Sequence, residues 1–295
     1  MLTKWVDIKR LIISILISAI AGGTVLFYCH IFGIGYVTLQ YDLWTWMTFL
    51  CFTAVVYFVS ILFAKLHLSQ TAKLFSMFFY FFLLIWSAQG LIHAIFLTEF
   101  VGSDTLFVPL LLATVLSLLI TVLLPDVVRE NTPVMESFKS YFESRTTLQW
   151  LMRIGTATVL LFTTYYLLNH LMFPFIEPYY SMSSSAFILS ENSLMISSAG
   201  MFIHALLMLI VFLPLFALWK GSKSSLLFWL GFPLFLLIAM QSFVLYSEWP
   251  LGFRFPLFVH LTLTMYIQAI ILVQIFYKPK GEEIEDQLFP AIWTW

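Results

Sequence analysis

Five of the six histidines stand near one end of an apolar segment: His30, His93, His170, His204 and His260, with only His67 in a basic loop. Neutral imidazole is the commonest protein ligand of zinc, copper and iron. Two imidazoles at one depth on facing helices can also take a haem iron from both sides. Polar neighbours extend the pattern. Tyr166, Asn169 and His170 are spaced i, i+3, i+4, Gln89 and His93 i, i+4, and His260, Thr264 and Gln268 i, i+4, i+8, while Ser197, Gly200 and His204 line one side of their segment. Such spacing puts each set on one helical face, and polar faces in lipid turn inward or toward water-filled cavities. The expected site is an externally open pocket lined by His93, His170, His204 and His260, with His170, His204, His260 and Glu177 as candidate metal ligands. The simpler alternative is that each histidine hydrogen-bonds a neighbouring helix, worth about 0.6 kcal/mol apiece in membrane bundles.

His170 precedes Pro174 by four residues and His260 follows Pro256 by four, so antiparallel helices would mirror each other, each proline lying one turn beyond its histidine. Beyond the prolines stand Glu177 and Arg254. A lone guanidinium near lipid is costly, which makes a carboxylate partner expected for Arg254, either Glu177 or Glu248; capture of an anionic ligand is the alternative use. No H-E-x-x-H stretch occurs, so any metal site draws on separate helices.

The elements that must position these groups follow from hydropathy. The 295 residues are 61% hydrophobic and 10% charged, with a mean hydropathy of +0.97, against about 25% charged residues in soluble domains. About 20 apolar residues cross the hydrocarbon of a bilayer. Apolar runs at 11-30, 46-64, 73-97, 106-124, 151-173, 199-219, 225-246 and 256-277 predict an all-α integral membrane protein, a bundle of about eight transmembrane helices forming one polytopic domain over residues 1-295. With both termini cytoplasmic, all 14 Lys and Arg residues except Arg254 fall inside, as the positive-inside rule asks. The first run, preceded by Lys4, Lys9 and Arg10, reads as a retained span rather than a cleaved leader.

Residues 125-150 connect two spans on the inner side. Thr132 and Pro133 suit an N-cap and first helical position, and Val134, Met135, Phe138, Tyr141 and Phe142 share a face, so a short helix is expected, either lying on the inner leaflet or serving as a structural connector. Residues 174-198, without Lys or Arg, are expected to fold back over the outer face, with Pro174, Pro178, Tyr179 and Tyr180 ending the span. Cys29 and Cys51 lie near the external ends of the first two spans, as small buried apolar residues or as a disulfide pair.

The net charge of -1 excludes a basic nucleic-acid footprint. There is no glycine-rich phosphate loop, no G-x-S-x-G nucleophile, no paired acidic motif for a prenyl diphosphate and no mid-span lysine for a Schiff base. The expected partners are the bilayer and other membrane subunits, and the expected location is the plasma membrane of a bacterium.

The segments R-I-G-x11-L-L-N-H-L-M-F-P-F-I-E-P-Y-Y from Arg153 and E-W-P-L-G-F-R-F-P-L-F-V-H from Glu248 to His260 resemble a pattern in bacterial multi-pass membrane proteins without an established activity. The resemblance implies a shared external feature at Pro178, Tyr179, Tyr180, Trp249, Pro250, Arg254 and His260. In outline, eight spans with external histidines also look like haem A synthase, although that family's Glu-x-x-His placement and its cysteine pair within one external loop are absent here. The expected function is binding of haem or a transition metal for redox, cofactor-assembly or metal-handling work. The alternative is a non-enzymatic transporter, complex subunit, immunity or sensor protein that binds a small molecule or peptide.

Overall fold

The computed structural model describes residues 8–32, 43–66, 68–87, 104–124, 133–180, 194–245 and 250–278. Among them the regular structure is entirely helical: α1 (Ile8–Phe32), α2 (Leu43–Ala64), α3 (Gln70–Ile85), α4 (Asp104–Leu123), α5 (Val134–Glu143), α6 (Thr147–Tyr180), α7 (Leu194–Leu218), α8 (Lys223–Leu234), a π-helical stretch (Phe235–Met240) running into α9 (Gln241–Leu245), and α10 (Leu251–Phe276). Six helices are long and apolar enough to cross a membrane, the rod Lys223–Val244 being one of them; Gln70–Ile85 and Phe202–Leu218 are shorter apolar helices. Helices are what such sequences must form, because hydrocarbon offers no partner for an open backbone group. Outward-facing Phe27, Leu50, Val122, Leu151, Phe175 and Ile210 are exposed, which suits a lipid-facing surface. The chain is a helical bundle of membrane type.

Short polar signals set several helix starts. Ser69 and Ser222 cap α3 and α8, accepting from the amides of Ala72 and Ser225 at 3.4 and 3.3 Å. Thr146 and Gln149 form a reciprocal capping box ahead of α6: the Thr146 amide donates to Gln149 Oε1 at 2.9 Å, and the Gln149 amide to Thr146 Oγ1 at 3.3 Å. α5 begins at Val134 with Pro133 in the cap position and no side-chain bond there.

The C-terminal end of α6 departs from the sequence expectation. The helix does not stop near residue 173 but carries Pro174 and Pro178 inside it and continues to Tyr180. Each proline costs one intrahelical bond. The extra turns are held from the side, where Ile176 is buried and Tyr179 packs on Phe253 at 6.2 Å between ring centroids. At 34 residues, α6 is about 51 Å long against about 30 Å of hydrocarbon.

α6 and α10 run antiparallel over their whole length, with Trp150 stacked on Phe276 at 6.1 Å, Tyr165 against His260 at 4.9 Å and Tyr179 against Phe253. Gly252 makes the last of these contacts possible: a Cβ there would overlap the Tyr179 hydroxyl and ring. Around this pair, α3 packs on α4 and α7, α1 on α2 and α4, α5 on α7, and α2 on the α8–α9 rod. Phe63, Phe81, Phe212 and Phe276 are sealed in the core.

Candidate functional site

α10 carries the stripe His260, Thr264 and Gln268, all at most 1% exposed. Its i, i+4, i+8 spacing points one face at α6, whose own buried positions Ala157, Thr158, Leu161 and Leu168 repeat at helical intervals. The Thr264 hydroxyl is spent on the helix itself, donating to the His260 carbonyl at 2.8 Å. The His260 ring meets Tyr165 edge-on, at 77°. The Leu168 backbone makes a hydrogen-bonding contact with the ring, but one too distorted to count as a hydrogen bond of normal geometry, and neither ring nitrogen has another partner among the described residues. Gln268 Oε1 is in the same condition. On α7, His204 is 2% exposed and neither of its ring nitrogens has a partner among the described residues. α7 and α10 touch, with Phe216 against Phe276 at 5.8 Å.

The other expected members of the pocket are placed differently. His170 is exposed, together with Asn169 and Glu177. His170 lies five residues beyond Tyr165, about 140° round the helix, so it leaves the face that meets α10. The structure therefore does not gather His170 with His260. His93 and Glu248 lie outside the described residues. Among the described residues no group of three or more His, Cys, Asp or Glu side chains stands close enough to hold a metal ion.

Arg254, in the first turn of α10, is 5% exposed. Glu177 does not pair with it; no carboxylate among the described residues does. The guanidinium sits over the Trp44 ring at 4.4 Å and the Phe243 ring at 5.2 Å, and Nη1 donates to the Phe243 carbonyl at 3.0 Å. A delocalised cation suits this setting because it stacks on aromatic faces and is weakly hydrated. The residue ties α2, α9 and α10 together at one end of the bundle. Its Nε remains without a partner.

At the opposite end of α10 the polar groups meet. The carbonyl of Phe276 accepts from the Tyr141 hydroxyl at 2.7 Å and from Arg145 Nη2 at 3.5 Å, and that of Ile275 accepts from Arg153 Nη1. Trp150 stacks on Phe276 and donates Nε1 to the Phe142 carbonyl at 2.9 Å, while Arg145 lies 5.3 and 5.1 Å over the Tyr141 and Trp150 rings. Lys73 does the same for α4, donating to the Leu124 carbonyl at 3.0 Å. The last carbonyls of a helix have no partner within it and carry its negative end, so these cations are well placed. Burial raises the pKa of the Tyr141 phenol, while Arg145 and Arg153 pull it the other way. Through these contacts α5 works as a connector closing α10, and Met135 remains 80% exposed on it.

Cys29 and Cys51 are buried and form no disulfide. Cys51 Sγ instead donates to the Leu236 carbonyl in the π-helical stretch at 3.5 Å. The T-T-L-Q stretch that starts α6 is a local capping signal legible in the sequence, whereas the pairing of Arg254 with Trp44 and Phe243 is not. Compared with protein-family models, curated proteins and solved structures, the chain has no match, so its function rests on its own residues.

Proposed function

We propose that this chain crosses the plasma membrane of a bacterium eight times with both ends cytoplasmic, and that its working site is the set of imidazoles on α7 and α10 inside the outer half of the bundle. The ligand is a transition metal or haem, used in redox, cofactor-assembly or metal-handling work. One observation carries the reading: the ring nitrogens of His204 are sealed in the bundle without a partner among the described residues, and the only polar contact of the buried His260 ring there is with the Leu168 backbone, without a hydrogen bond of normal geometry. A buried polar atom without a partner costs about 1–3 kcal/mol, and an ionisable residue inside a membrane span is kept for function more often than for stability. Two imidazoles suffice for the axial positions of a haem. A metal ion needs further donors, and His93 is the sequence candidate for one. His170, on the outer surface of α6, is left out of the ligand set.

The second reading, a non-enzymatic transporter or complex subunit, draws on Gln268, whose buried amide continues the polar line two turns beyond His260. The two readings separate on purified protein. A Soret band or stoichiometric metal by elemental analysis, lost in His204→Ala and His260→Ala but kept in His170→Ala, supports the first. Protein free of both metal and haem after expression in supplemented medium counts against it and leaves the transporter reading. Cysteine labelling of residues introduced near Phe32, at the far end of α1, and near Lys278 tests the topology.

A further inference from the structure

We propose that the groove between α2 and α8 seats one anionic phospholipid from the leaflet that faces the basic end of the bundle. This inference does not rest on the imidazole site. The groove has a volume of about 550 Å³ and is lined by Tyr57, Phe58, Ile61, Ser224, Ser225, Phe228 and Trp229. A volume of this size is typical of small-molecule sites. Its wall is aromatic and apolar along its length: Phe58 packs on Trp229 at 6.2 Å and on Phe232 at 4.7 Å, and Phe228 stacks on Phe232 at 5.4 Å. Such a wall suits an acyl chain. The two serine hydroxyls mark the polar end, at the start of α8.

Charge identifies the headgroup. Lys65, just past the end of α2, holds its ammonium 5.2 Å over the Trp229 ring that lines the groove. Lys220 and Lys223 stand at the start of the rod, Lys223 reaching across to Gln274 of α10. Neither residues 43–66 nor residues 220–245 contain an Asp or Glu. A groove with an apolar floor, Lys65 over one of its wall rings, further lysines at the start of the rod and no carboxylate in either wall segment complements a phosphate headgroup with its tail attached. Basic pockets between spans are where anionic headgroups bind.

The test uses the full chain in detergent, stripped of lipid by exchange, with native mass spectrometry and thermal unfolding as readouts. Phosphatidylglycerol is expected to give one retained adduct and to raise the unfolding temperature more than phosphatidylcholine. Lys65→Gln should weaken the phosphatidylglycerol adduct about fivefold, the equivalent of one lysine at a membrane surface, and leave phosphatidylcholine unchanged. Ile61→Trp, which fills the groove, should lower retention of both lipids. Equal effects of the two lipids on wild-type protein would overturn the proposal. So would a Lys65→Gln protein that keeps its preference, or inorganic phosphate alone matching the effect of phosphatidylglycerol.

Discussion

At its C-terminal end α10 presents bare carbonyls, and Tyr141, Arg145 and Arg153 come from α5 and α6 to meet them. Farther from that end, the same helix carries the His260 ring nitrogens and Gln268 Oε1, which have no hydrogen bond of normal geometry among the described residues. The two regions belong to one helix, packed against one partner, and both are buried. Satisfaction is incomplete at the first region too, where Arg145 Nη1 has no partner among the described residues, but each side chain there makes at least one contact that ties two helices. The C-terminal end is therefore read as built for stability, and the stretch around His260 as open to something the chain itself does not supply.

The comparison can be broken first at the C-terminal end, where the largest stability losses are expected. Replacing both Arg145 and Arg153 with Met should cost about 3–5 kcal/mol, since each charge-assisted bond is worth about 1.5–3 kcal/mol; reversible unfolding in detergent measures it. Gly252→Ala should cost about 1–3 kcal/mol by overpacking against Tyr179, and less in a Tyr179→Ala background, where the double-mutant cycle isolates the clash. Tyr141→Phe should cost about 1 kcal/mol at neutral pH. Because the Tyr141 phenol has a folded pKa above its unfolded one, its contribution is complete below about pH 10 and falls as pH rises through the folded value. The gap between wild type and Tyr141→Phe should thus narrow in alkali. The smallest stability effect is expected in the other stretch: His260→Leu should change stability by less than about 1 kcal/mol, since an unsatisfied polar group gives way to an apolar one of similar size.

Hydropathy alone located the long apolar helices, because twenty uncharged residues in lipid have no other way to satisfy their backbones. His204 and His260 fall inside apolar helices of the bundle and are buried there. Facing was not legible. The rule that polar faces turn inward placed Tyr166, Asn169 and His170 toward the core, but their spacing fixes a shared face without saying which neighbour it meets, and Asn169, His170 and Glu177 are exposed. The end of α6 was misplaced for a related reason. Pro174 and Pro178 are local stop signals, and what overrides them is a distant contact, Tyr179 fitting against Gly252 and Phe253. Arg254 shows the same limit. Its cost in lipid was apparent, but the aromatic ring that meets it comes from Trp44, some two hundred positions away in the chain.

The central claim is that His204 and His260 are held for a ligand and contribute nothing to the bare fold. Its most direct test is the unfolding free energy of the His204→Leu, His260→Leu double variant, compared with wild type in protein freed of metal and haem. The account predicts a double variant as stable as wild type or more so. A loss of about 2 kcal/mol or more would show that the imidazoles tie the helices together, and would contradict it.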